Sequence, residues 1–154
     1  MDKNAIKKYA VWARKELISR VAQKAQQYGI TETEMVDAGA DSVNGKVLSA
    51  EEMQQRRALI EQINEKGYQQ VMEEVAYTWF NRLIAIRFME VNRYIPVRVL
   101  SSEIAGQKLP DLVKSPFSGD LEFTDAEKQH IFDLQDANKE DDLFRFLFFK
   151  QCND

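Results

Sequence analysis

The chain has 154 residues, 44% of them hydrophobic and 30% charged, with a formal net charge of −4. That balance excludes a disordered polyelectrolyte and a generally basic nucleic-acid binder, and the length suits one domain with a sizeable core. The single cysteine, Cys152, rules out an intrachain disulfide, and the single histidine, His130, has no cysteine or histidine near it in sequence, so a zinc site or a Ser-His-Asp triad lacks its parts.

Glycine and proline number only six and three, and β-branched alternation is rare. The chain therefore reads as all-α, a single multi-helix domain over residues 1–154. No uncharged apolar run reaches about 18 residues, so no membrane span is expected. The first residues are charged and lack an apolar signal core, which makes the cytoplasm the expected compartment.

Residues 3–28 read as the first helix. Ile6, Tyr9, Ala10, Ala13, Leu17, Val21, Ala25 and Tyr28 trace one apolar stripe, and Gly29 ends it. The same stretch carries Lys3, Lys7, Lys8, Arg14, Lys15, Arg20 and Lys24 against Asp2 and Glu16. These cations define either a solvated face, a phosphate-contacting face or a surface for an acidic protein. Lys3, Lys7, Lys8, Arg14 and Lys15 are the candidates for DNA contact, which would give affinity and orientation without sequence choice.

Residues 30–48 form a looser insertion. Thr31 and Glu34 have capping-box spacing, which predicts a short helix reaching Ala38. Asn44-Gly45 is a turn signal with flanks too short for a firm hairpin. Ser49 and Glu52 make a better capping box, opening a helix to Lys66 with Met53, Leu59, Ile60 and Ile63 as its apolar face. Gly67 then breaks or bends the path.

The central helix spans about 68–92. Val71, Val75, Trp79, Leu83 and Ile86 fall on one face, and Met72, Ala76, Phe80, Ile84 and Phe88 on an adjoining one. An apolar arc this wide predicts a helix packed on two sides. Glu74, Thr78 and Arg82 share a column, and Arg87 is placed to pair with Glu90.

Residues 93–123 hold all three prolines and are expected to be mainly loop, with an extended piece at 97–100 and a helical turn after Pro110. Thr124 and Glu127 form another capping box, before a helix with Ile131, Phe132 and Leu134. Asp141-Asp142 opens a last helix in which Leu143, Phe144, Phe146, Leu147, Phe148 and Phe149 leave little polar side. Such a helix should be covered all round. This predicts either a fragment cut from a longer protein or a C-terminal helix docked into the core with a dimer partner covering its outer side, and Phe148 and Phe149 are the candidate interaction residues.

EEVAYTWFNRLIAIRFMEVN, then IPVRVLSSE, DLEFTDAEKQHIF and DDLFRFLFFKQCND, resemble the N-terminal region of large adenine-specific DNA methyltransferases of the PglX type. These belong to BREX phage-defence systems and are related to fused type II restriction-modification methylases. The resemblance runs from about Glu73 to the last residue and implies a parent protein that uses S-adenosylmethionine on DNA, with other phage-defence components as further partners. Methyltransferases of that kind carry an Asn-Pro-Pro-aromatic motif and a glycine-containing cofactor loop. Here no two prolines are adjacent and no glycine-rich loop occurs. The expectation is an N-terminal helical module without catalytic, cofactor or metal residues of its own, assisting DNA or partner docking. The alternative is a protein-protein or dimerisation module that does not touch DNA.

Overall fold

The computed structural model describes residues 2–153. Its helices are α1 (Lys3–Gln27), α2 (Ala50–Lys66), α3 (Tyr68–Val91), α4 (Asp111–Lys114), α5 (Asp125–Asp136) and α6 (Glu140–Asn153), and one hairpin joins β1 (Ser42–Val43) to β2 (Lys46–Val47). The chain is thus all-α, with long α3 midway along it. It divides into two compact units, Met1–Asn81 and Arg82–Asp154, and α3 contributes residues to each.

In the first unit, the Asp2 carboxylate caps α1 by accepting from the Asn4 and Ala5 N–H groups at 2.9 and 3.2 Å. Gly29 turns the chain away at φ 69°, and a Cβ there would sit 2.7 Å from both Val36 and Val43 side chains. Only glycine meets both demands. The Ser49–Glu52 capping box is reciprocal, and α2 runs to Lys66 as its apolar spacing predicts. Gly67, at φ 89°, separates α2 from α3. Ala25, Ile30, Ile60, Ile63, Val71 and Met72 form the core, with Val21, Leu59, Tyr68 and Val75 packed against it.

The short helix expected over 31–38 does not form. Thr31 Oγ1 accepts the Glu34 N–H at 2.9 Å, as a cap would, but its own N–H donates to the Glu34 carbonyl at 2.8 Å. The chain folds back on itself with a bridge between Ile30 and Met35. The hairpin that the short flanks left open does form. Asn44 and Gly45 take φ 51° and 78°, the left-handed pair that matches strand twist. The Asn44 amide donates to the Gln26 and Gln27 carbonyls and so ties the turn to the end of α1. Arg56 of α2, only 3% exposed, donates to the Tyr28 and Asp37 carbonyls at 2.8 and 2.7 Å and also to the Val36 carbonyl.

Glu52 also ties the hairpin to α2. Lys46 donates to its carboxylate at 2.6 Å, the Ser49 N–H at 3.0 Å and the Tyr28 hydroxyl at 3.1 Å. The Lys46 hydrogen bond first, then that from Ser49, lowers its pKa from the usual 4.5 to about 2. A depressed carboxylate stabilises the fold above its unfolded pKa, and that contribution fades as pH falls through the folded one. Amide protection in the hairpin and the first turn of α2 should therefore weaken between pH 4.5 and 2. Hydrogen exchange checks this, and Glu52→Gln should flatten the dependence in that window.

In the second unit, α3 buries Ile86 and Glu90. Arg87 pairs with Glu90 at 2.9 Å, as the spacing predicts. Residues 97–100 form bends rather than the expected extended piece, because the Leu100 N–H turns inward to the Glu90 carboxylate. The helical turn after Pro110 is α4, and Asp111 there accepts from Ser102 Oγ and the Glu103 N–H at 2.6 and 2.8 Å. Burial pushes the Asp111 carboxyl up, but these bonds and Lys114 together outweigh it and hold the pKa below its ordinary value. α5 starts at the predicted Thr124–Glu127 capping box, and Lys150 of α6 reaches Glu127 at 3.1 Å.

α6 packs on α4 and α5 and buries Leu143, Leu147 and Phe148. It nevertheless has a solvent side, at Asp141, Asp142 and Arg145. The two-sided burial expected of α3 holds for Met72 and Ala76 but not for Ile84 and Phe88, which are exposed. Hydrophobic spacing fixes which residues share a face, not what lies opposite that face.

Candidate nucleic-acid interface on the first helix

Helix α1 presents its cations outward. Lys3, Lys7, Lys8, Arg14 and Lys15 are all exposed. Arg14 reaches Glu73 of α3 at 2.9 Å, an ion pair with both members well exposed. Such a pair contributes about 0–1 kcal/mol and can be given up to a competing anion. The four lysines make no ion pair or side-chain hydrogen bond among the described residues. The nearby carboxylates are engaged: Asp2 caps the helix, Glu16 holds Arg20 at 2.7 Å and Glu73 holds Arg14. The face therefore keeps a net positive field.

The apolar stripe expected on α1 is only partly buried. Ala13 and Ala25 are inside, whereas Ile6 and Tyr9 are exposed, and so are Val11 and Trp12. Tyr9 and Trp12 lie one turn apart, with ring centroids 5.7 Å apart and planes at 41°. Trp12 fits no periodic pattern in the sequence. The signal that could have marked it is its place one turn after Lys8 and one turn before Lys15. A groove of about 440 Å³ runs beside Ala10 and Arg14, floored by Ala76, Tyr77 and Phe80 and rimmed by Glu73 and Glu74. Lys66, at 2.9 Å, and then Gln70 lower the Glu74 pKa below its usual value.

In the second unit, Phe148 is 4% exposed and its ring lies 5.7 Å from that of Phe144, so it faces inward. Phe149 is half-buried. His130 meets Phe146 edge-on at 5.1 Å, and burial pushes the Cys152 thiol up. A small hollow of about 130 Å³ lies among Ile95, Pro96, Val97, Leu112 and Gly119. Among the described residues no group of three or more histidine, cysteine or carboxylate side chains is arranged to hold a metal ion, and no helix is long and apolar enough to cross a membrane.

No protein-family model and no solved structure matches the chain. Two characterised relatives do. The chain is 37% identical over 177 aligned positions to the adenine-specific methyltransferase PglX of Lacticaseibacillus casei (strain Zhang). It is 29% identical over 164 to the adenine-specific methyltransferase BrxX of Escherichia coli O9:H4 (strain HS). Each alignment takes in 99% of this chain but only 15% and 14% of the relative. The match extends through α1 and α2, well beyond the part after Glu73 where the sequence is most distinctive. Over nearly all its length the chain is thus similar to a segment of PglX-type adenine-specific methyltransferases.

Proposed function

We propose that this chain is a helical docking module of an adenine-specific DNA methyltransferase, and that α1 rests on the DNA backbone. The observation that carries the reading is the exposed row Lys3, Lys7, Lys8 and Lys15, with nearby carboxylates already engaged. Arg14 joins the row by exchanging Glu73 for a phosphate. Similarity to two adenine-specific methyltransferases supports it, because adenine in a polynucleotide comes with a phosphate backbone. The parent protein supplies S-adenosylmethionine binding and N6 transfer elsewhere, works in the cytoplasm and serves phage defence or restriction with other components. This module contributes affinity and orientation rather than base choice.

Titration with duplex DNA at rising salt tests the reading. Affinity should fall steeply, and log K against log salt should be linear. Replacing Lys7, Lys8, Arg14 and Lys15 together with glutamine should weaken binding to every sequence alike. It should reduce the salt slope by about one unit for each phosphate the variant no longer neutralises. Duplex binding that ignores these four changes, or no binding of either duplex or single-stranded DNA at low salt, would overturn it. The second result would favour the protein-binding alternative.

A further inference from the structure

We infer that Tyr9 and Trp12 form a stacking platform for unpaired nucleobases, so that α1 prefers single-stranded nucleic acid to a closed duplex. The inference rests on the docking reading of α1 and adds to it the form of nucleic acid that this face takes.

Trp12 is 58% exposed and Tyr9 56% exposed. A buried indole would stabilise the fold, yet neither ring is drawn into the core formed around Ala25, Ile60 and Val71. The two rings lie 5.7 Å apart at 41°, and each residue keeps more than half of its surface exposed. Lys8 stands one helical turn before Trp12 and Lys15 one turn after it. The two ammonium groups therefore flank the indole along about 10 Å of helix axis. Aromatic faces set between cations on a continuous surface are the recurring means of holding single strands, with phosphates on the cations and bases on the rings. A duplex keeps its base faces stacked inside and offers this surface its phosphates, sugars and groove edges, but no open base face to stack on.

An acidic peptide would use the same lysines. Its apolar side chains would favour a concavity, and the groove beside Ala10 and Arg14 lies two residues and more than half a helical turn away from Trp12. Trp12 does not line that groove and stands 58% exposed, open to a flat base.

The test uses the whole chain and three probes: a single-stranded mixed-sequence oligodeoxynucleotide, the same sequence closed as a duplex, and poly-glutamate. The single strand should bind more tightly than the duplex and quench tryptophan fluorescence, and the quench should disappear in Trp12→Phe while binding persists. Trp12→Ala should cost about tenfold in single-strand affinity, within the range expected for removing one base stack, and change duplex affinity less than about twofold. Circular dichroism guards against a folding defect, and exposure of Trp12 makes one unexpected. Equal binding of both DNA forms with no effect of Trp12→Ala overturns the stacking platform and leaves backbone docking standing. Failure of both DNA forms at low salt overturns both readings. Poly-glutamate binding as tight as the single strand, and equally sensitive to Trp12→Ala, replaces the nucleic acid with an acidic protein.

Discussion

Replacing Arg56 with methionine is expected to destabilise the first unit by roughly 2–4 kcal/mol, because hydrogen bonds to a charged group contribute about 1.5–3 kcal/mol each and the desolvation of the guanidinium offsets part of their sum. The guanidinium is 3% exposed and its partners are the carbonyls of Tyr28, Val36 and Asp37. It therefore fastens the end of α1 and the 30–48 insertion to α2 at one point. Methionine fills much of the volume but donates nothing, so three carbonyls lose a charge-assisted partner, and those that stay buried go unsatisfied at about 1–3 kcal/mol each. Lysine should recover only part of the loss, because its donors radiate from one nitrogen and cannot span the fork. Hydrogen exchange should show Val43 and Lys46 amides opening first, and trypsin should cut at Lys46 in the variant before the wild type. Unchanged protection over 30–48 together with a stability loss under about 1 kcal/mol would refute the clamp, since surface substitutions fall near that size.

Nothing in QQRRALI marks Arg56 apart from Arg57, whose side chain is exposed and reaches the Ala38 carbonyl only at 3.4 Å. The difference is set by a loop some twenty residues away, which local pattern does not encode. What is legible is local. The boxes at Ser49–Glu52 and Thr124–Glu127 need only four residues and a following apolar run, and both stand. Thr31–Glu34 has the same spacing, but only Met35 and Val36 follow before Asp37 and Gly39. With no face to bury, the backbone closes into a bridge instead. Periodicity likewise marks Ile6 and Tyr9 of α1 and Ile84 and Phe88 of α3 as members of apolar faces, which they are, but exposure depends on neighbours the spacing does not describe. The candidate site is legible as charge. Its aromatic half is not, because spacing puts Tyr9 on the core-facing stripe and Trp12 lies outside the apolar pattern, marked only by its place between Lys8 and Lys15.

The second large effect is expected at Glu90. Its side chain is wholly shielded from solvent and receives the Leu100 N–H, with Arg87 at 2.9 Å and Ser101 Oγ at 3.4 Å. Just after α3 ends, Arg93 takes φ 57°, and the chain must then be held through a proline-containing stretch without regular structure. Glu90 supplies that hold from inside the helix, and Val99, next to Leu100, is fully buried as a result. Glu90→Ala strands the Leu100 amide and opens a cavity, which together should cost roughly 2–4 kcal/mol in denaturant unfolding. Glu90→Gln keeps an oxygen for the Leu100 N–H and should cost about 1 kcal/mol, the difference between a charged and a neutral acceptor. The two variants separate the roles. If the pin is the backbone hydrogen bond, the Leu100 amide stays protected from exchange in glutamine and opens in alanine. If the pairing with Arg87 is what matters, the two substitutions should be equally damaging and Arg87→Met should match them. Arg87 is half exposed while the carboxylate is not, so its charge is already screened by water and the backbone bond should dominate.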